Sequence, residues 1–427
     1  MEHAHPPVRT GFSLSARRLL FLLGLLALLG LFGGTPARGD EAPRFLIEKI
    51  TVKGNRRPAS ARIVVSESLL KDGRTYGEDE LRTAVHRIKR LPFIIEADFA
   101  LQKGSERGRY ELVITVEETR PIFVDLEGAG DYSDRSGVYS PLPTSRRFDF
   151  SNNSLLGVRE FVGSEGVLFA SFGSSNGLFQ LGYTRYDLFG PGSFASLALA
   201  FSPHDNKETT ASLSAGVPLT VNQSLRATVA LSHASFRGDV SRDDSTQQSG
   251  QLDWLYNTTD DPLFPTRGDT VEAALDYRKY HSIFKDPGIA MSPFRFDERT
   301  WGLTLSGNRH RPLTARQSLA FGLSAAAYHL SEDQTSANFL NGSGTGYQAS
   351  VSVTHAFDLL QGERARHWGD LRLETSASYV GSHSNDAFNA LFDQTTVYQL
   401  TLGETLVFRN PWAIVRLGVL YHGKVMR

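Results

Sequence analysis

The sequence predicts a small α+β domain followed by an all-β transmembrane antiparallel barrel of 16 strands. Three observations predict it. Helical periodicity is confined to residues 58–91. From about Ile122 onward the apolar residues alternate with polar or small ones at period two, in short runs separated by Gly, Asn, Asp, Pro and Ser. The N-terminus carries one apolar run that is too short to span a bilayer, so a membrane location requires a closed sheet.

Composition bounds the alternatives. The chain has 427 residues and a net charge of -1, so bulk charge gives no sign of nucleic acid or anionic lipid as a partner. Hydrophobic residues make up 40%, lean for a large soluble core, and the 39 glycines and 27 phenylalanines suit a wall with one apolar face and one polar or small one. Cysteine is absent, which rules out disulfides, thiolate chemistry and cysteine-based zinc sites.

Arg17 and Arg18 precede the apolar run Leu19–Phe32, which leads into Gly33, Gly34, Thr35, Pro36, Ala37, Arg38 and Gly39. A basic region, a short apolar core and a small-residue exit describe a secretory signal peptide over residues 1–39.

Residues 44–120 read as β-α-α-β-β. Phe45–Val52 is a strand whose apolar phase changes between Ile47 and Ile50, which predicts a bulge. Gly54 and Asn55 turn the chain. Pro58–Leu70 is a first helix, with proline in its first turn. Glu78–Leu91 is a second, with Leu81, Ala84, Val85, Ile88 and Leu91 on one face and Glu78, Asp79 and Glu80 at its positive end. Ile94–Gln102 and Tyr110–Glu118 close the domain as strands. On the pattern Ile50-x-Val52-x-Gly54-Asn55, the helix Leu81–Leu91 leading into Phe93, and the closing Leu112–Glu118, this segment resembles a POTRA domain. The resemblance implies a sheet edge that receives an extended client segment through backbone hydrogen bonds. A plain structural spacer is the alternative.

Residues 121–427 read as the barrel. Val271, Ala273, Leu275 and Tyr277 alternate with Glu272, Ala274, Asp276 and Arg278; Leu371 and Leu373 alternate with Arg372 and Glu374; Tyr398, Leu400 and Leu402 alternate with Gln399, Thr401 and Gly403. The pattern yields about 15 candidate strands, and because bacterial barrels have even strand numbers the expectation is 16. The inward charges Glu272, Asp276, Arg278, Arg372 and Glu374 are expected to form structural ion pairs.

Two strings carry a further resemblance. Tyr186-Asp-Leu188-Phe189-Gly190-Pro-Gly192-Ser193 lies between two strands, and Asp260-Asp261-Pro-Leu-Phe264-Pro265-Thr-Arg267-Gly268 is a tight reversal leading into a long strand, with Phe264 expected at the membrane boundary. Both are similar to strings of the outer-membrane protein insertase superfamily, the BamA and TamA relatives with a bacterial surface antigen barrel. The second is the most specific string in the chain. No Val-Arg-Gly-aromatic motif follows Gly268, and Tyr421 is followed by six further residues rather than by a terminal aromatic.

Searches for chemistry return nothing that calls for a cofactor, a metal or a catalytic residue. Gly173-Ser-Ser-Asn-Gly177 matches a hydrolase elbow literally, but a strand follows where that elbow needs a helix, so it reads as a hairpin turn. His310, between two arginines, reads as part of a solvated turn, and the acidic stretch Asp239–Asp244 as a surface loop. The resemblance implies a non-enzymatic factor of outer-membrane biogenesis. Its partners would be unfolded outer-membrane or secreted proteins, outer-membrane lipid and periplasmic accessory proteins. Its seam would be built from Ile122–Glu127 and Ile414–Tyr421. A dedicated secretion pore and a structural barrel remain open alternatives.

Overall fold

The computed structural model describes residues 43–134, 146–152, 155–173, 178–202, 206–237, 242–285, 294–334, 343–360, 368–386 and 396–426. The expected signal peptide lies outside the described residues.

The small domain opens with β1 (Arg44–Lys53), α1 (Pro58–Ser68), β2 (Arg74–Gly77) and α2 (Glu78–Ile88), and closes with β3 (Ile94–Lys103) and β4 (Arg109–Glu118). Its order is thus β-α-β-α-β-β. The four-residue β2 corrects the expected β-α-α-β-β: Arg74–Gly77 is too short to display a period, and it is a strand because it pairs antiparallel with Arg44–Ile47. The sheet order is β2-β1-β4-β3, with β1 and β4 parallel. The bulge falls where the phase change places it, at Glu48, between the paired residues Ile47 and Lys49. Pro58 starts α1, and Leu69 ends it in the left-handed conformation. Gly77 starts α2, with its amide held by Glu80 Oε2 at 2.6 Å. Ile47, Ile63, Val64, Leu81, Ile88, Phe93, Leu112 and Ile114 form the buried core between helices and sheet.

Strand β5 (Ile122–Asp134) follows β4 within four residues and begins the barrel. It pairs with β6 (Arg146–Asn152) at its far end and with β7 (Leu155–Val162) at its near end. Both ladders run in one continuous register along β5, so β6 and β7 occupy one position in the ring. The sequence then runs up and down through β8 (Gly166–Gly173), β9 (Phe179–Tyr186), β10 (Phe194–Ser202), β11 (Asn206–Pro218), β12 (Gln223–Arg237) and β13 (Arg242–Asn257). It continues through β14 (Gly268–Lys285), β15 (Phe294–Thr314), β16 (Gln317–Gln334), β17 (Ser343–Leu360), β18 (Asp370–Asp386), β19 (Thr396–Arg409) and β20 (Ala413–Met426). Strand β20 pairs with β5 and closes the ring.

The 16 strands of the sheet therefore make a barrel of 15, because β6 and β7 share a position. This corrects the expected 16. Parity is the reason. An up-and-down ring closes with antiparallel pairs throughout only when its strand number is even; with 15, first and last strands run the same way, and β20 meets β5 in parallel. The barrel is antiparallel everywhere else. His310 is also corrected: it lies within β15, paired with Gly268 and Ala320, and not in a turn.

Alternation sorts the wall. Leu199, Leu231, Leu275, Trp301, Phe321, Val351, Leu402 and Leu417 are exposed on the outside, where lipid replaces water. Inward positions carry hydroxyls that pair across strands, as Thr184 with Ser196 (2.9 Å), Ser214 with Thr228 (3.0 Å) and Ser324 with Ser350 (2.7 Å). No helix among the described residues is long and apolar enough to cross a membrane.

The small domain docks on the short-turn end of the barrel. Phe93, fully buried, packs edge-to-face on Phe161 (centroids 5.1 Å) and Tyr186 (6.3 Å) of the barrel. Arg159 on β7 stacks over Phe93 and Phe123 and donates to the Pro92 carbonyl at 3.2 Å and to Thr119 Oγ1. Arg90 donates to the Asn257 carbonyl at 2.7 Å. Truncating a buried aromatic costs about 3–5 kcal/mol. Phe93→Ala is therefore expected to loosen the domain from a barrel that stays folded. Trypsin should cleave near Arg120 faster in the variant, while the barrel band survives; unchanged cleavage would show that Phe93 does not carry the junction.

Candidate functional site

Three features lie at or near the docked end: the hairpin β9–β10, the turn β13–β14 and the seam β20–β5.

The hairpin is built for close approach. Asp187 adopts positive φ, and its carboxylate accepts the Ser66 hydroxyl of α1, while Gly192 N–H donates to Ser66 Oγ at 2.9 Å. Burial pushes the Asp187 carboxyl up, against the Ser66 and Gly192 hydrogen bonds. Gly192 has φ +72, and a Cβ there would meet Leu69 Cδ2 at 2.8 Å. Gly190, at φ +112, makes the reversal in open space. Leu188 and Phe189 are left exposed at 47% and 62%. The string thus divides its labour: glycines and Asp187 receive α1, and the two apolar residues face outward.

The turn is a latch. Asp260 Oδ1 accepts the Thr266 and Arg267 amides at 2.9 and 3.2 Å, and Asp261 Oδ1 accepts the Leu263 and Phe264 amides at 2.8 and 2.7 Å. Gly268, at φ +104, passes so close to Thr258 that a Cβ would sit 2.4 Å from its carbonyl oxygen. Phe264 does not pack at the membrane boundary as expected. It is buried, 7% exposed, with the guanidinium of Arg372 4.9 Å and that of Arg409 4.7 Å from its ring centroid. Cations over an aromatic face are strongest when desolvated, which outweighs what lipid contact would offer the ring. Pro265 adds its carbonyl, taken by Arg372 Nη1 at 3.2 Å and Ser318 Oγ at 3.5 Å. Arg409 Nη1 reaches both oxygens of Asp261 at 3.0 Å, its Nη2 reaches Asp370 at 2.8 Å, and Arg372 Nε reaches Asp358 at 2.6 Å. One turn therefore fastens β16, β18 and β19 from inside. Arg267, by contrast, is exposed and has no ion pair among the described residues.

Sequence reasoning named Arg372 as an inward charge but missed Arg409, Asp358 and Asp370. The signal available was parity: Arg409 and Asp370 fall on the inward phase of their strands at the end nearest the turn.

The other named residues have structural roles. Ile50 and Val52 pack on the domain core, with Ile50 N–H held by Asp72 at 3.0 Å. Gly54, at φ +84, passes the Val116 carbonyl where a Cβ would stand 2.1 Å away, and Asn55 Nδ2 donates to the Arg57 carbonyl at 3.0 Å. Ser174–Gly177 of the hydrolase-like string lie outside the described residues; β8 and β9 flank them, and Gly173 N–H donates to the Leu178 carbonyl at 2.6 Å. Among the described residues no cluster of His, Cys, Asp and Glu can hold a metal.

The seam joins ten residues of β20, Ala413–His422, to Val124–Ser133 in parallel. By comparison, β14 and β15 share seventeen pairs. Evenly slanted parallel bonds are slightly weaker per residue than antiparallel ones, so the seam is held less strongly per residue than the antiparallel junctions beside it. Its near end carries extra fastening: Arg120 N–H donates to the Pro411 carbonyl at 2.7 Å, Val124 N–H to the Trp412 carbonyl at 2.9 Å, Arg120 stacks on Trp412 at 4.7 Å, and Arg416 pairs with Asp125 at 3.0 Å in the lumen. In the small domain, β3 is the long edge: among the described residues no strand pairs with its outer side.

No protein-family model matches the sequence, and no curated protein matches it. Solved structures similar to the chain include BamA from Haemophilus ducreyi lacking POTRA domains 1–3, at 14% identity, covering 91% of this chain and 82% of that one with a TM-score of 0.43. They also include CdiB from Acinetobacter baumannii, at 8% identity, 89% and 73% coverage and a TM-score of 0.34. The ferric citrate transporter FecA gives 9% identity, 72% and 60% coverage and a TM-score of 0.30. At such identities and scores the likeness carries no functional inference.

Removing one member of a buried ion pair costs about 3–5 kcal/mol. Arg409→Met is expected to lower the urea midpoint of the barrel accordingly, and adding Asp261→Asn to recover part of the loss. Burial opposes ionisation of Asp261, but Arg409 and the Phe264 and Leu263 amides outweigh it and hold the carboxyl below its ordinary 3.8. A carboxyl depressed in the folded state contributes its stability above the unfolded pKa and loses it as pH falls through the folded one. The Leu263 and Phe264 amides should stay protected from hydrogen exchange at neutral pH and lose protection only below the ordinary 3.8 of the Asp261 carboxyl; loss near pH 6 would contradict this role for Asp261.

Proposed function

We propose that the chain is a non-enzymatic factor of outer-membrane biogenesis that assists insertion or translocation of client proteins, with its POTRA-like domain in the periplasm. The observation that carries the reading is the seam: a parallel junction in a wall that is otherwise antiparallel among the described residues, whose strand β5 is joined directly to a domain with an open edge strand. In this reading an unfolded client pairs with the outer edge of β3, where backbone hydrogen bonds give affinity with little demand on sequence. The client then reaches the seam, and parting of β20 from β5 exposes backbone groups that a client strand satisfies. The barrier to insertion falls because those groups exchange partners instead of being left bare in lipid.

A dedicated secretion pore is the second reading, favoured by the hydroxyl-rich inward face. Barrels of about this strand number leave room for an aqueous channel. Quantitative proteomics of the outer membrane after depletion separates the two: broad loss of barrel proteins supports insertion, and loss of one exported protein supports the pore.

The seam is directly testable, because the chain has no native cysteine. Leu126 and Val415 are register partners on the outer face. The Leu126→Cys/Val415→Cys variant is expected to lose client insertion when oxidised and to regain it with reductant. Full activity of the oxidised variant would overturn the seam mechanism.

A further inference from the structure

The outer wall over β13–β16 is bounded by charge at two heights. At the near end, Asp269 and Arg309 stand opposite each other and pair, with Arg309 Nε on Asp269 Oδ1 at 2.9 Å and Nη2 on Oδ2 at 3.1 Å. At the far end, Lys279 and Arg299 stand opposite each other. Between these rows the outward residues are Val271, Ala273, Leu275 and Tyr277 on β14 and Gly307, Leu305, Leu303 and Trp301 on β15, all uncharged. The ten residue steps from Asp269 to Lys279 rise about 34 Å along the strand. At a barrel tilt near 40° that is about 26 Å along the membrane normal, close to the height of a lipid-facing band. Tyr277 and Trp301, with centroids 4.3 Å apart, form the aromatic step below the far row.

The two boundaries differ in sign. The near row is neutral and internally paired. The far row opposes two cations, which is destabilising without an anion, and neither Lys279 nor Arg299 has a hydrogen bond or ion pair within the described chain. Gln248 flanks Lys279 and Ser331 flanks Arg299 in register, so the row reads Gln248-Lys279-Arg299-Ser331 across four strands, with donors throughout and no carboxylate. In the next row Asp297 stands opposite Asp333 in register, and the Asp297 carboxylate is held by His281 Nδ1 at 2.9 Å.

We propose that this row binds the phosphate of an anionic lipid headgroup in the leaflet away from the small domain. Acyl chains would lie on Leu275 and Leu303, the headgroup junction on Tyr277 and Trp301, and the phosphate oxygens on Lys279 and Arg299. A lipid is the occupant because the cations sit at the top of an uninterrupted apolar column that only a tethered acyl chain would cover.

The test uses the full chain in detergent, titrated with bisphosphorylated lipid A and followed by native mass spectrometry. The wild type is expected to bind it, Lys279→Gln/Arg299→Gln about thirty-fold more weakly, and Lys279→Gln alone to fall between. A Lys103→Gln/Arg107→Gln control, which removes two charges from the small domain, should bind as the wild type does. The phosphate-free form of the lipid should bind weakly and equally to all four. Equal lipid A binding by wild type and double variant, equal binding of the phosphate-free lipid, or displacement by equimolar inorganic phosphate would each overturn the proposal.

Discussion

A sheet in lipid cannot keep an edge, and this constraint organises the whole molecule. Each unpaired backbone group in hydrocarbon costs several kcal/mol, so the ring must close whatever its strand number. With 15 positions, closure forces one junction to be parallel. The parallel pairing is thus a topological consequence and not a local accident of sequence. It lies between the strand that leaves the small domain, β5, and β20.

The remaining contacts offset the weaker parallel pairing on one rim. Arg159, Phe93 and Tyr186 lock the domain to the first strands. The latch turn ties Asp261 and Phe264 to Arg372 and Arg409 on the last full strands before β20. The wall on either side of the seam is therefore braced at the docked end. A buried ion pair is a poor source of net stability but a demanding one geometrically, and a latch that must hold one register needs that property more than it needs energy.

Legibility followed from period and failed where period was absent. The helices, the bulge at Glu48 and the strand phases were visible because burial repeats every 3.6 or every two residues. Strand β2 was invisible because four residues carry no period; its existence depends on its partner. The pattern itself indicated about 15 strands, and the correction toward an even number was wrong because it assumed that the closing pair must be antiparallel. Phe264 was misplaced because an aromatic in a turn reads as a membrane anchor until the two arginines that cover it, more than a hundred residues away, are brought to it by the ring.

Net charge failed for a related reason. A total of -1 averages over walls, rims and lumen, whereas recognition at a membrane depends on charge at one height on one face. The sequence holds Lys279 and Arg299 twenty residues apart, each amid residues of mixed character, and only the hairpin register sets them side by side. The same register places Asp269 opposite Arg309, twice as far apart in sequence, and makes a neutral pair. Two hairpin positions ten residues apart on one strand thus acquire opposite meanings, one self-sufficient and one lacking an anion, and the difference arises entirely from which residue the turn delivers to the opposite strand.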